Sequence, residues 1–316
     1  MSKITVIGAG KVGAAIANNL MIQGIASEIL MVDINEEKAF GEALDIYQGV
    51  TFCSSPCKVH SGSYADAWGS DIVVITSGVA RKPGQSRLEL AQVNTEMMKE
   101  IAPRIAPVCP NAIYIIITNP VDVLTYVFQK LTGLPEKQVI GSGTILDTCR
   151  LTAALAEKFD VSPECIEARV YGEHGDSGFI PWSKVRIADN TVEEYLEISQ
   201  EQRDIPWNAQ VVSEIESFVK NSGAMIIKAK GATYYAIAQC VCYICRVIMH
   251  GRGTAMCVSS MMHGEYGVSD VCLSTMVILD HTGIRGRVHV ELTSEEIDKL
   301  RTSAKALRAS IDTLNL

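Results

Sequence analysis

The sequence predicts an α/β protein, a doubly wound parallel sheet followed by an α+β half. Three observations predict it: short β-branched runs alternate with helical patterns, a glycine-rich turn follows the first run, and the rhythm changes after about Gly141. Parallel strands joined by crossover helices are buried on both faces, so they read as continuous apolar runs. At 316 residues the chain is long for one core, and two units are expected, 1–142 and 143–316.

The strand runs are 4–7, 29–32, 72–76 and 113–118, with helical patterns over 12–22, 36–47, 88–105 and 121–131. A helix over 146–159 then leads into strand signals at 166–171 and 179–187. Two long helices are expected over 199–220 and 224–249, followed by strand runs 254–261, 272–279 and 286–292 and a terminal amphipathic helix from Ser294.

Composition excludes several classes. Hydrophobic residues make up 47% and charged residues 20%, which fits a folded globular chain rather than a disordered one. Lys and Arg total 28 against 36 Asp and Glu, a formal net charge of −8, which argues against nucleic acid and anionic membranes as partners. The apolar stretch 105–121 is broken by Pro107, Pro110 and Pro120, whereas a membrane span needs roughly 20 apolar residues. The chain enters its first strand at Ile4 with no cleavable leader pattern, so a cytoplasmic location is expected. The ten cysteines are scattered, and the one tight cluster, Cys240, Cys242 and Cys245, lacks the second pair of a zinc site. Buried reduced thiols and no metal are expected.

Gly8-Ala9-Gly10-Lys11-Val12-Gly13 follows the first strand and opens the first helix. The first glycine permits the turn, the second lets backbone approach a pyrophosphate, and the third lets helix and strand pack closely. The helix N-terminus offers unpaired N–H groups to the anion. Asp33 ends the second strand about 20 residues on, where a carboxylate accepts hydrogen bonds from a ribose diol. No Lys or Arg follows before Lys38, and Asp33 would repel a 2′-phosphate, so this Rossmann-type start favours NAD over NADP. Further on, His174 stands between Gly172 and Gly175, as expected where backbone makes room for a ligand, and an imidazole exchanges protons near neutrality.

These motifs, with Thr118-Asn119-Pro120-Val121-Asp122 and Gly141-Ser142-Gly143-Thr144 leading to Leu146-Asp147, resemble the L-lactate/malate dehydrogenase family, in its lactate-dehydrogenase-like branch. The match runs in order from residue 4 to the C-terminus. The resemblance implies a dinucleotide-binding Rossmann domain, a catalytic domain, NAD as cofactor and a small 2-hydroxy or 2-keto acid as substrate. It implies that His174 exchanges the hydroxyl proton, that Asp147 orients the imidazole, and that Arg150 holds the substrate carboxylate in a two-pronged pair. Arg87 would polarise the reacting carbonyl from a closing loop. Asn119 would bond the substrate oxygen or the cofactor amide. Ser142 and Ile237 would line the nicotinamide pocket, with Gly8, Gly10, Lys11, Val12 and Gly13 along the rest of the cofactor.

Substrate choice turns on two positions. Arg81 stands where lactate-specific members typically carry Gln and malate-specific ones Arg. Closed over a methyl group, such an arginine would be buried without a partner, at a cost of several kcal/mol, whereas malate offers it a second carboxylate. Thr233 points the other way, because malate-type relatives usually carry a smaller residue there. Charge matching outweighs one or two atoms of volume, so malate/oxaloacetate is favoured, with pyruvate/L-lactate or dual specificity as alternatives. From other classes, the alternatives are a hydrolase related to NAD-dependent glycosidases and a catalytically idle family member. Thr152 replaces the basic residue of sugar-phosphate-activated members, which argues against allosteric activation although Arg169 could supply part of an anion site. A homodimer or homotetramer is expected.

Overall fold

A computed structural model of the chain describes residues 2–79, 87–199 and 205–316. Six strands, β1 (Lys3–Ile7), β2 (Glu28–Val32), β3 (Lys58–Ser61), β4 (Ile72–Ile75), β5 (Ile113–Ile116) and β6 (Val139–Gly141), form a parallel array in the order β6-β5-β4-β1-β2-β3. The β-branched residues Ile4, Val6, Ile72, Val74, Ile113 and Ile115 are buried in it. Helices α1 (Lys11–Ile22), α2 (Glu36–Gln48), α3 (Arg87–Ile105) and α4 (Val121–Thr132) supply the crossovers. The strand order reverses between β1 and β4, and the crevice beyond the strand ends there is where doubly wound sheets take ligands. Neither β3 nor β6 was expected. The four residues of β3, Lys58-Val59-His60-Ser61, hold a single apolar residue, and the three of β6 are too few to carry a signal, whereas β4 and β5 are apolar throughout.

The second half opens with α5 (Ile145–Phe159). The two long strand signals that follow shrink to a two-stranded ribbon, β7 (Ile166–Glu167) and β8 (Arg186–Ile187), and an isolated bridge between Tyr171 and Phe179. A short helix, α6 (Val192–Ile198), starts at a capping box formed by Thr191 and Glu194. The long helices are displaced from the expected bounds, to α7 (Ala209–Lys230) and α8 (Tyr235–His250). Asn208 caps the first by accepting from the Gln210 and Val211 amides, and Gly231, at φ +85°, ends it. The break expected between 220 and 224 does not occur: the helix continues through Gly223, which lies against the Arg150 guanidinium.

Antiparallel strands β9 (Thr254–His263), β10 (Ser269–Asp280) and β11 (Gly283–Arg287) do not form a separate sheet. Through one register pair, Gly141 with Ser259, β9 joins β6 and extends the array to nine strands. A Cβ on Gly141 would lie 2.8 Å from Ser259 Cβ, so only glycine permits this seam. On one face α1 packs against α8 through Ile16, Leu20, Val241 and Ile244. On the other, α4 packs against α9 (Ser294–Ile311) through Leu124, Phe128, Leu300 and Leu307. No helix among the described residues is long and apolar enough to cross a membrane. The cysteine expectation needs correcting: Cys53 is half-buried, and Cys149 and Cys165 are exposed.

Candidate active site

The turn after β1 has the shape its glycines require. Gly8 adopts φ +108°, and a Cβ there would meet the Ser77 amide nitrogen at 2.8 Å. A side chain on Gly13 would run into the Gly8 carbonyl, which is how α1 comes to lie against the strand. Gly10 faces open space and caps α1 without a side-chain bond, leaving first-turn N–H groups for an anion. Lys11 is exposed and Val12 half-buried beside it. Asp33 is held in place at the end of β2: its Oδ2 accepts from the Ala9 amide at 2.6 Å and its Oδ1 from the Asn35 amide at 2.9 Å. Each oxygen keeps a lone pair for a ribose hydroxyl. These residues therefore fit an adenine dinucleotide.

In the second half, α5 presents Asp147 in its first turn and Arg150 three residues later. Asp147 Oδ2 lies 2.5 Å from His174 Nδ1, and its Oδ1 accepts from Arg150 Nη1 at 3.0 Å. One carboxylate thus sits between an imidazole and a guanidinium. Burial alone would raise the Asp147 carboxyl, but the neighbouring His174 and Arg150 outweigh it and hold its pKa below the ordinary value. Burial would likewise lower the His174 imidazole. The Asp147 charge, assisted by Asp122, wins, and the pKa lies above 6.5. Gly223 of α7 closes the far side, where a Cβ would come within 3.3 Å of Arg150 Nη2.

His174 is fixed by its own backbone. Asp122 Oδ2 accepts the His174 N–H at 2.7 Å, Ser303 Oγ accepts the Glu173 N–H at 2.7 Å, and Gly172 exchanges backbone hydrogen bonds with Ser274. Asp122 is 1% exposed, and burial pushes its pKa up to about 6 against lowering by Ser259 and the His174 amide. Gly172 is required by φ +88° and by Ser303, whose Oγ would stand 2.7 Å from a Cβ. Asp122, Ser274 and Ser303 were missed as positioning groups. The signal for Asp122 was present, since a carboxylate in the first turn of an otherwise apolar α4 needs a partner.

Of the remaining candidates, Asn119 is exposed just beyond β5, with its carbonyl accepting from Asn94 Nδ2 at 2.7 Å. Ser142 is buried after β6, Ile237 is buried on α8, and Thr233 is half-buried in the α7–α8 turn. Arg81 and the Arg87 side chain lie outside the described residues. Among the described residues no group of His, Cys, Asp and Glu could hold a metal ion.

Known proteins share this architecture. Residues 2–141 match the model of the lactate/malate dehydrogenase NAD-binding domain, and 144–315 that of the family's α/β C-terminal domain. The chain is 43% identical over 313 residues to L-lactate dehydrogenase 1 of Clostridium acetobutylicum, covering 99% of this chain and 98% of that one. It is 42% identical to L-lactate dehydrogenase of Acetivibrio thermocellus, covering 100% and 98%. The crystal structure of the minor L-lactate dehydrogenase of Enterococcus mundtii superposes with a TM-score of 0.94 at 34% identity, covering 100% of this chain and 99% of that one. Both halves thus match one family along nearly the whole chain, and the chain belongs to the lactate/malate dehydrogenase family of NAD-dependent oxidoreductases that act on a CH–OH group.

Proposed function

We propose that the protein interconverts a 2-keto acid and its L-2-hydroxy acid, with pyruvate and L-lactate as the pair turned over. The observation that carries the chemistry is the Asp147 carboxylate shared by His174 Nδ1 and Arg150 Nη1. With Nδ1 engaged, Nε2 is the nitrogen left for substrate. In reduction the imidazolium gives its Nε2 proton to the C2 oxygen as that atom gains negative charge, and in oxidation neutral Nε2 takes the hydroxyl proton back. Asp147 stabilises the imidazolium and fixes the ring. Arg150 has Nη2 free of Asp147 and pairs with the C1 carboxylate, which sets C2 beside His174. A bound nicotinamide would supply the hydride at C2 in reduction and accept it in oxidation. Asp33 and the turn at Gly8, Gly10 and Gly13 bind the cofactor, with Ser142, Ile237 and Asn119 on the nicotinamide side, while Arg87 acts on the carbonyl.

The choice of lactate reverses the preference drawn from Arg81. Relatives 40–43% identical along their full length carry the name L-lactate dehydrogenase, which supports pyruvate, as Thr233 does. Malate/oxaloacetate is the second reading, and it rests on the Arg81 charge alone. Exposed Ile34, Phe40 and Phe52, on or beside α2, support a homo-oligomer. The deciding experiment is NADH oxidation with pyruvate and oxaloacetate side by side. A kcat/KM for pyruvate at least tenfold higher supports the lactate reading. The opposite ratio, lost in Arg81→Gln, restores malate.

A further inference from the structure

Two cysteines outside this machinery meet where α5 packs on α8. Cys149 Sγ and Cys240 Sγ are 3.6 Å apart. Cys149 is exposed and immediately precedes Arg150, whereas Cys240 is 4% exposed and lies one turn beyond Ile237. We propose that this pair is a dithiol modification site, at which a hydroperoxide oxidises Cys149 and Cys240 then converts it to a disulfide.

The chemistry balances with hydrogen peroxide as oxidant. The Cys149 thiolate attacks one peroxide oxygen, the O–O bond breaks, and the departing hydroxide takes a proton to become water, leaving a sulfenic acid. Cys240 sulfur then attacks the Cys149 sulfur. The S–S bond forms, the S–O bond breaks, and the hydroxyl leaves as water with the Cys240 proton. Two thiols and one peroxide become one disulfide and two waters.

The two sulfurs are suited to different steps. The contact with Cys240 holds the Cys149 pKa down to about 7, with Arg150 and Arg169 adding to this against burial and Asp147. Cys240, in contact with Cys149 and buried, is pushed far up and keeps its proton. Exposure and thiolate character both make Cys149 the first to react.

The consequence lies in the neighbours. Closing a 3.6 Å contact to an S–S bond of about 2.05 Å brings the two sulfurs together by more than an ångström, and Cys149 lies one residue from Arg150 and two from Asp147 on α5. Passed along that turn to Asp147 and Arg150, a displacement on that scale costs up to about 10²-fold in rate. The disulfide form is therefore a reversible off-state.

The test treats the full-length protein with hydrogen peroxide and reads intact mass, peptide linkage and NADH oxidation with pyruvate. The expected product has lost two hydrogens, links the Cys149 and Cys240 peptides, turns over at least tenfold more slowly and recovers with dithiothreitol. Cys240→Ser should instead stop at a Cys149 sulfenic acid that dimedone captures, and Cys149→Ser should form no link. Cys149 and Cys240 left unlinked after treatment, or linked with unchanged turnover, would overturn the proposal. Linkage is read by mass whatever the substrate, so absence of turnover in untreated enzyme counts against the dehydrogenase reading and not against the dithiol.

Discussion

The Asp122 carboxylate, buried in the first turn of α4, accepts the backbone N–H of His174 at 2.7 Å. The candidate general acid/base is thus held twice, through its amide by Asp122 and through its ring by Asp147. Asp122→Ala should leave the buried amide unpaired, destabilise the fold by about 1–3 kcal/mol and lower kcat by tenfold or more. Asp122→Asn keeps an acceptor oxygen and should recover most of both. Denaturant melts and steady-state kinetics of the two variants check this, and equal losses would mean that the charge rather than the hydrogen bond is needed.

His174→Ala removes the proton donor and should lower kcat/KM by about 10²–10⁴-fold, while NADH binding followed by fluorescence changes little. Full activity in that variant would refute the assignment.

The raised His174 pKa fixes the direction of a pH dependence. Reduction needs the imidazolium, so kcat/KM for the keto acid should be flat at low pH and fall as pH passes the His174 pKa, which lies above 6.5. Oxidation of the hydroxy acid needs the neutral ring and should show the opposite limb. Asp147→Asn removes the charge that raises the imidazole, and both limbs should move to lower pH. The fold follows the same sign: the stabilisation from this pair is complete below the unfolded value near 6.5 and is lost as pH rises through the folded pKa. pH profiles of wild type and Asp147→Asn measure both.

Arg150→Lys keeps the charge but loses the planar fork that spans Asp147 and the substrate carboxylate. A hydrogen bond to a charged group is worth about 1.5–3 kcal/mol, so kcat/KM should drop roughly 10–100-fold, chiefly through KM. An unchanged KM would place the substrate carboxylate elsewhere.

Asp33→Ala frees the Ala9 and Asn35 amides and removes the repulsion toward a 2′-phosphate. KM for NAD should rise about tenfold, at the scale of one charge-assisted hydrogen bond, and use of NADP should improve relative to NAD. Parallel titrations with the two cofactors test it.

Much of this was legible because it is local. The turn from Gly8 to Gly13 and the Asp33 carboxylate follow one strand directly, and the Asp147–Arg150 spacing is one helical turn, so chain order alone puts the members together. What brings His174 to Asp147 is tertiary. Asp122, Ser274 and Ser303 come from α4, β10 and α9, and no local pattern reports such contacts. The misplaced bounds of α7 have the same origin, since Gly223 lies inside the helix against the Arg150 guanidinium. Substrate choice is less legible for another reason: Arg81 is one loop charge, whereas the substrate meets a pocket formed by many residues.

The seam between Gly141 and Ser259 binds the dinucleotide-binding strands and the antiparallel strands into a single hydrogen-bonded ladder. Neither half can swing away from the other without tearing that ladder. Heating should accordingly give one calorimetric peak whose measured and van't Hoff enthalpies agree, and a bulky residue grafted at Gly141 should split it in two.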